Sequence, residues 1–163
     1  MKFAVLTAVS ALLLASVAQA ETLTFPSDAP VASATFPDTW KAAENDTGIE
    51  AFSPDDAVTF YIDVSDTGSS EKVMQDGINF LKENGVTIDP DSVKESSGSI
   101  NGMELQTLDW DGKDAGGDAS IGMAFLQPSP EKMLIITYWG TKGEEDKYTA
   151  DLGAIMQSIK PAE

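Results

Sequence analysis

The sequence predicts an α+β domain, an antiparallel β-sheet accompanied by two separate helices. Three observations predict it. Residues 57–64 alternate apolar and polar side chains. Asn101-Gly102 stands between two strand-like runs as a two-residue hairpin turn. Segments 69–84 and 142–159 place apolar residues at helical spacing on either side of the hairpins.

Residues 1–20 read as an export signal. Lys2 gives a positive start, residues 3–17 are apolar, and Ala18-Gln19-Ala20 is a small-x-small cleavage site. Cleavage is expected after Ala20, leaving Glu21 as the mature N-terminus. An uncleaved anchor helix is the rival reading, but the stretch is short for a span. No Cys follows it, so a bacterial lipid anchor is excluded. No later segment approaches the ~18 apolar residues of a membrane helix. The expected location is periplasmic or secreted. Residues 21–30 read as a lead-in in which Pro26 and Pro30 limit regular structure. Residues 31–163 read as one domain, with no repeat or linker dividing them.

Within that domain, residues 31–36 form a short strand stopped by Pro37. Trp40 to Ala43 begin a second and Ile49 to Phe52 a third, with turn chemistry at Asn45-Asp46-Thr47-Gly48 between them. In strand 57–64, Val58, Phe60, Ile62 and Val64 point one way and Thr59, Tyr61 and Asp63 the other. Helix 69–84 follows, with Ser69 or Ser70 as its cap and Glu71 near the positive end of its dipole. Val73, Gly77, Ile78 and Leu81 form one face, and Asn84-Gly85 ends it. Gly77 in mid-helix suggests close approach to a sheet.

Strand 92–100 runs into the Asn101-Gly102 turn and strand 103–111 returns. Its apolar spacing changes phase between Leu105 and Leu108, which suggests a bulge or burial on both faces. Residues 111–118 read as a loop. Ala119, Ile121, Met123 and Phe125 alternate along the next strand, and Pro128-Ser129-Pro130 makes a rigid turn. Residues 132–139 are apolar on both faces, as expected of a central strand covered above and below. Helix 142–159 opens with a Thr141-x-x-Glu144 capping box and buries Tyr148, Leu152, Ile155, Met156 and Ile159. Lys160 favours the negative end of its dipole, and Pro161 stops it.

Composition narrows the chemistry. The 163 residues hold 27 Asp and Glu against 10 basic residues, all Lys, for a net charge of −17. There is no His, Cys or Arg. That excludes a Ser-His-Asp triad, a Cys nucleophile, thiolate or imidazole zinc sites and a bidentate guanidinium fork. The charge would repel nucleic acid and anionic lipid. With no disulfide available, the fold must stand on its core.

The order of elements over residues 31–160 resembles the PsbP-like superfamily, which includes PsbP, the Ran-binding Mog proteins and DcrB-like periplasmic proteins. The resemblance rests on Phe36-Pro37-Asp38-Thr39-Trp40, on the extended 57–64 segment before helix 69–84, on the Asn101-Gly102 hairpin and on the closing Ile155-Met156-Gln157-Ser158-Ile159-Lys160. It implies an α-β-α sandwich, an antiparallel sheet flanked by helices. It also implies a non-enzymatic module that binds or supports an envelope macromolecule. It brings no catalytic residue onto this sequence.

Candidate sites are few. Asp109, Asp111, Asp114 and Asp118 could offer oxygens to calcium, the alternative reading in which this is a cation-binding protein. Lys113 and Asp114 break the EF-hand register, and turn chemistry accounts for the same residues. Asp55-Asp56 offers a weaker version of the same idea. Trp40, Trp110, Tyr138 and Trp139 could line a ligand or partner surface, with core packing as the competing explanation. A hydrolase built on paired carboxylates or on a Ser-Lys dyad is the second alternative; Ser69-Ser70-Glu71-Lys72 contains the Ser-x-x-Lys spacing, for which helix capping with a solvated Lys is the ordinary explanation. No catalytic residue, cofactor or resident metal is expected, and the partner is unidentified.

Overall fold

A computed structural model describes residues 20–68 and 70–162, without the side chains of residues 70 and 71. The expected export signal up to residue 19 and the Ser69, Ser70 and Glu71 capping expectations lie outside the described residues and side chains. Among the described residues, eleven strands and two helices follow one another as β1 (Ala20–Phe25), β2 (Ala32–Pro37), β3 (Lys41–Glu44), β4 (Gly48–Phe52), β5 (Val58–Asp66), α1 (Ser70–Glu83), β6 (Thr87–Ile88), β7 (Lys94–Ile100), β8 (Met103–Asp114), β9 (Gly117–Ser129), β10 (Lys132–Thr141), α2 (Thr149–Ser158) and β11 (Lys160–Pro161).

Eight strands form one antiparallel sheet in the order β3-β4-β5-β10-β9-β8-β6, with β7 also on the outer edge of β8. A smaller sheet runs β1-β2-β11. α1 covers one face of the large sheet, burying Val73 and Leu81 against Leu108, Trp110, Ile121, Met123, Ile135 and Trp139. The small sheet and α2 cover the other, where Phe25, Phe36 and Ile155 meet Phe60, Ile62, Leu126, Leu134 and Ile136. The fold is the expected α+β sandwich.

β10 is the spine. Leu134 and Ile136 enter the core under α2, while Ile135 and Trp139 enter the core under α1. The phase change in β8 has the same origin. Met103 and Leu105 face α2, Leu108 and Trp110 face α1, and the pairing with β9 is continuous from Leu105 to Asp114. Each face is buried along a different part of the strand, and there is no bulge in its pairing with β9. Gly77 brings α1 close to the sheet, since a Cβ there would lie 2.6 Å from Met123 Cε. Asn84 and Gly85 end the helix, with Gly85 at φ +78.

Five expectations change. The lead-in 21–30 is largely a strand: β1 pairs antiparallel with β2 from Ala20 to Phe25, so the ordered domain begins ahead of residue 31. Burial of Phe25 and packing of Leu23 against the same core place it there. The loop 111–118 is a tight hairpin, β8 running to Asp114 and β9 starting at Gly117. The rigid turn before β10 is shorter than Pro128-Ser129-Pro130, because β9 continues through Ser129. The capping box does not form. Gly143, at φ +88, turns the chain, a 3₁₀ turn spans Glu145–Tyr148, and α2 starts only at Thr149. Beyond α2, Lys160–Pro161 adds to β2 as a strand.

The Asn101-Gly102 turn has positive φ at both residues, as a primed hairpin turn requires. Asn101 Nδ2 donates to the carbonyls of Gln157 (2.9 Å) and Ile159 (2.6 Å), tying the β7–β8 hairpin to the end of α2. Those are carbonyls a helix end leaves without intrahelical partners. At the two borders of the large sheet, β7 exposes every residue but Ile100, and β3 is four residues long.

Candidate functional site

The α2 layer leaves part of its sheet face open. There β8 presents Thr107, Asp109 and Asp111, β7 adds Lys94 opposite Asp109, and β9 and β10 add Ser120 and Tyr138. Lys94, Asp109, Asp111, Ser120 and Tyr138, with Ser92, line a cleft of about 150 Å³. A second hollow of about 310 Å³ adjoins it through Asp111, past Lys113, Asp118 and Lys142.

Pairing fixes the groups on this ledge. Tyr138 Oη donates to Asp109 Oδ1 at 3.0 Å. Its ring lies over Gly122, the residue opposite it on β9, where a Cβ would sit 2.0 Å from Tyr138 Cζ. Burial, and then the neighbouring Asp109, pushes the Tyr138 phenol far above its usual range, so it is a proton donor and not a base at neutral pH. Lys142 bonds Asp111 at 2.7 Å, lowering the acid's pKa and raising its own. Ser120 Oγ donates to Glu145 Oε1, and Glu145 Oε2 is buried with no protein partner. Ser92 Oγ accepts the Asp111 amide at 2.8 Å. The arrangement can offer hydrogen bonds and charge to something that touches it.

The four predicted aspartates do not converge. Asp109 and Asp111 share the ledge. Asp114 closes the hairpin, accepting the amides of Gly116 (2.7 Å) and Gly117 (3.1 Å). Asp118 pairs with Lys113 at 3.2 Å. Among the described residues, no group of three or more Asp or Glu side chains is placed to hold a metal ion.

The aromatic set divides as well. Tyr138 and Trp40 belong to the face under α2, Trp110 and Trp139 to the face under α1. Trp40 is 5% exposed, donates from Nε1 to Asp151 Oδ2 at 2.9 Å and meets Tyr148 edge-on. Trp139 stacks on Tyr61 at 5.9 Å. The physical reason is strand alternation, which sends residues 138 and 139 to opposite faces. Only Tyr138 is positioned by the ledge, with Trp110 forming part of the cleft wall. Lys72 is engaged with Asp76 at 2.6 Å.

Sequence reasoning missed Lys94, Ser120, Lys142 and Glu145: Lys94 and Ser120 are placed by their register against β8, and Lys142 and Glu145 by the turn that follows β10. It also missed the role of Asp55. That carboxylate accepts from Lys147 Nζ, Tyr148 Oη (2.8 Å) and Ser53 Oγ (3.1 Å), holding the β4–β5 turn to the start of α2. Lys147, then Tyr148, holds the Asp55 pKa far below the usual carboxylate range. A depressed Asp stabilises the fold above its ordinary value, about pH 4, and loses that contribution as pH falls through the depressed one. Asp55→Asn should therefore melt below wild type at pH 6, and the gap should close as pH is lowered toward about 2. Melting curves across that range check it. A gap that stays constant with pH would remove Asp55 as the titrating anchor.

No protein-family model and no curated protein matches the chain. Solved structures do. LpqN, involved in cell envelope biogenesis of Mycobacterium tuberculosis, is 16% identical with a TM-score of 0.61, covering 89% of this chain and 91% of that one. Cyanobacterial PsbP (CyanoP) from Synechocystis is 7% identical with a TM-score of 0.63, covering 94% and 99%. The Ran-binding protein Mog1p of Saccharomyces cerevisiae is 11% identical with a TM-score of 0.55, covering 86% and 94%. The chain has the PsbP-like fold. Among the described residues, no helix is long and apolar enough to cross a membrane.

Proposed function

We propose that this chain is an exported acidic accessory protein of the bacterial envelope, which acts by binding another macromolecule and performs no bond-breaking chemistry. Residues 1–20 direct its export to the periplasm and are removed after Ala20. The reading is supported by the likeness in fold to an envelope-biogenesis protein and to a Ran-binding protein. Fold alone does not determine function, so the weight falls on the site. The single observation that carries the reading is the ledge. Its carboxylate, ammonium and hydroxyl groups are locked in mutual pairs beside the exposed strand β7, a rigid polar surface suited to contact.

Affinity capture from the envelope of the producing cell tests this. Wild type and a distant control, Glu83→Lys, should retain the same partner, and Asp111→Lys should lose it. The Asp111–Lys142 pair is exposed, so its loss should leave the melting temperature close to that of wild type. Retention of that partner by Asp111→Lys would move the surface elsewhere. Turnover of a substrate by the purified protein would overturn the non-enzymatic reading.

A further inference from the structure

Another cleft, lined mainly by apolar surface, lies on the opposite face of the large sheet, beneath α1. It measures about 230 Å³, and Thr47, Asp63, Asp76, Phe80, Ile135 and Thr137 are among its walls. Thr137 is 1% exposed, and its Oγ1 has no hydrogen-bond partner within the protein. Buried hydroxyls are nearly always paired, so this one points to a ligand.

Asp63 supplies the charge. It stands on β5 directly opposite Ile135 of β10 and Gly48 of β4. A Cβ on Gly48 would lie 2.0 Å from the Ile62 carbonyl oxygen, so glycine is what lets this end of β4 close on β5. The turn before it places Thr47 Oγ1 on Asp63 Oδ1. The single Thr47 hydroxyl proton is shared, because Asn45 Oδ1 also lies within 3.1 Å. Asp63 therefore keeps acceptor capacity unspent. Burial raises its pKa, the response of a carboxylate that lacks a cation.

The remaining walls select the class of cation. No lining residue is basic, and Asp76 at the rim is already paired with Lys72 at 2.6 Å, so Asp63 carries the charge of the site. Phe80 and Ile135 are apolar, and the Phe80 ring is braced edge-on by Tyr61 at 4.9 Å. One available carboxylate between apolar walls suits an organic cation better than a hard metal ion, which takes six or more oxygens. An ammonium group beside an aromatic ring gains a further attraction.

We propose that this cleft binds a primary alkylammonium group, with Asp63 as its counter-ion, Thr137 Oγ1 accepting one of its protons and Phe80 alongside. The group can belong to a free amine or to a lysine side chain of a partner protein. The site touches none of the ledge residues, so it stands or falls separately from the partner surface described above.

Titration of the ¹⁵N-labelled protein with n-butylammonium, and separately with Nα-acetyl-lysine methylamide, tests it. Saturable amide shifts are expected at Thr47, Asp63, Gly77 and Thr137. The tighter of the two probes identifies the source. n-Butanol, the neutral counterpart, should leave those amides in place. Asp63→Asn should weaken binding about tenfold or more, the usual weight of a charged hydrogen bond. Thr137→Val should weaken it less, with the rest of the spectrum unchanged. Absence of saturable shifts with both amines, equal shifts with n-butanol, or unaltered binding in both variants would overturn the proposal.

Discussion

Phe60→Ala is expected to lower the free energy of unfolding by about 4 kcal/mol, the usual cost of truncating a fully buried aromatic ring. Phe60 has no exposed surface and lies on β5 between Ala51 of β4 and Tyr138 of β10. It meets Phe36 of the small sheet edge-on at 6.0 Å and stacks with Tyr138 at 6.4 Å. It is therefore the joint at which the small sheet is fastened to the large one. Truncation removes two ring contacts and leaves a cavity that neighbouring strands cannot close. Set against the 5–15 kcal/mol or so that holds a typical domain together, the loss is large. Urea unfolding should show a lower midpoint with unchanged slope. Phe60→Leu, closer in volume, should cost less than half as much. A loss below about 1 kcal/mol for Phe60→Ala would contradict the placement of this ring.

Gly122→Ala should destabilise the protein by about 2–3 kcal/mol, although it adds a single methyl group to a strand that would otherwise favour alanine. The added carbon would overlap the Tyr138 ring, which must then swing away from β9. That movement breaks the bond to Asp109 and disturbs the stacking on Phe60. A double-mutant cycle isolates the effect. With Tyr138→Leu already in place, Gly122→Ala should cost less than it does in wild type. Additive losses would mean that the ring does not depend on the space glycine provides.

Much of the architecture was legible in the sequence because it depends on local pattern. The alternation of Val58, Phe60 and Ile62 and the apolar run of β10 each reported which faces would be buried. Asn101-Gly102 announced its turn through the backbone angles it permits. What failed depends on partners outside the segment itself. β1 and β11 are strands because β2 lies between them; the Thr22-Leu23-Thr24-Phe25 alternation hinted at the first beneath its prolines, and nothing in Lys160–Pro161 announces the second. The hairpin at Asp114 was hidden because the end of β8 is charged and solvated.

The candidate sites were less legible for the same reason. Asp109 and Asp111 look alike in sequence, yet one answers to Tyr138 and the other to Lys142, about thirty residues away in each case. Thr137 sits within an apolar strand and gives no sign that its hydroxyl would be left open. Only the packing of α1 over β5 and β10 brings it to the same hollow as Asp63.

The borders of the large sheet have a consequence for how copies of the molecule behave when crowded. β7 shows solvent a row of Lys94, Glu95, three serines and a glycine, and β3 is too short to template a neighbour. Strand-to-strand annealing between molecules begins at long, flat, apolar margins, and neither margin here is of that kind. With strong mutual repulsion from the surplus of carboxylates, the protein is protected against fibrillar polymerisation without a covalent staple anywhere in its chain.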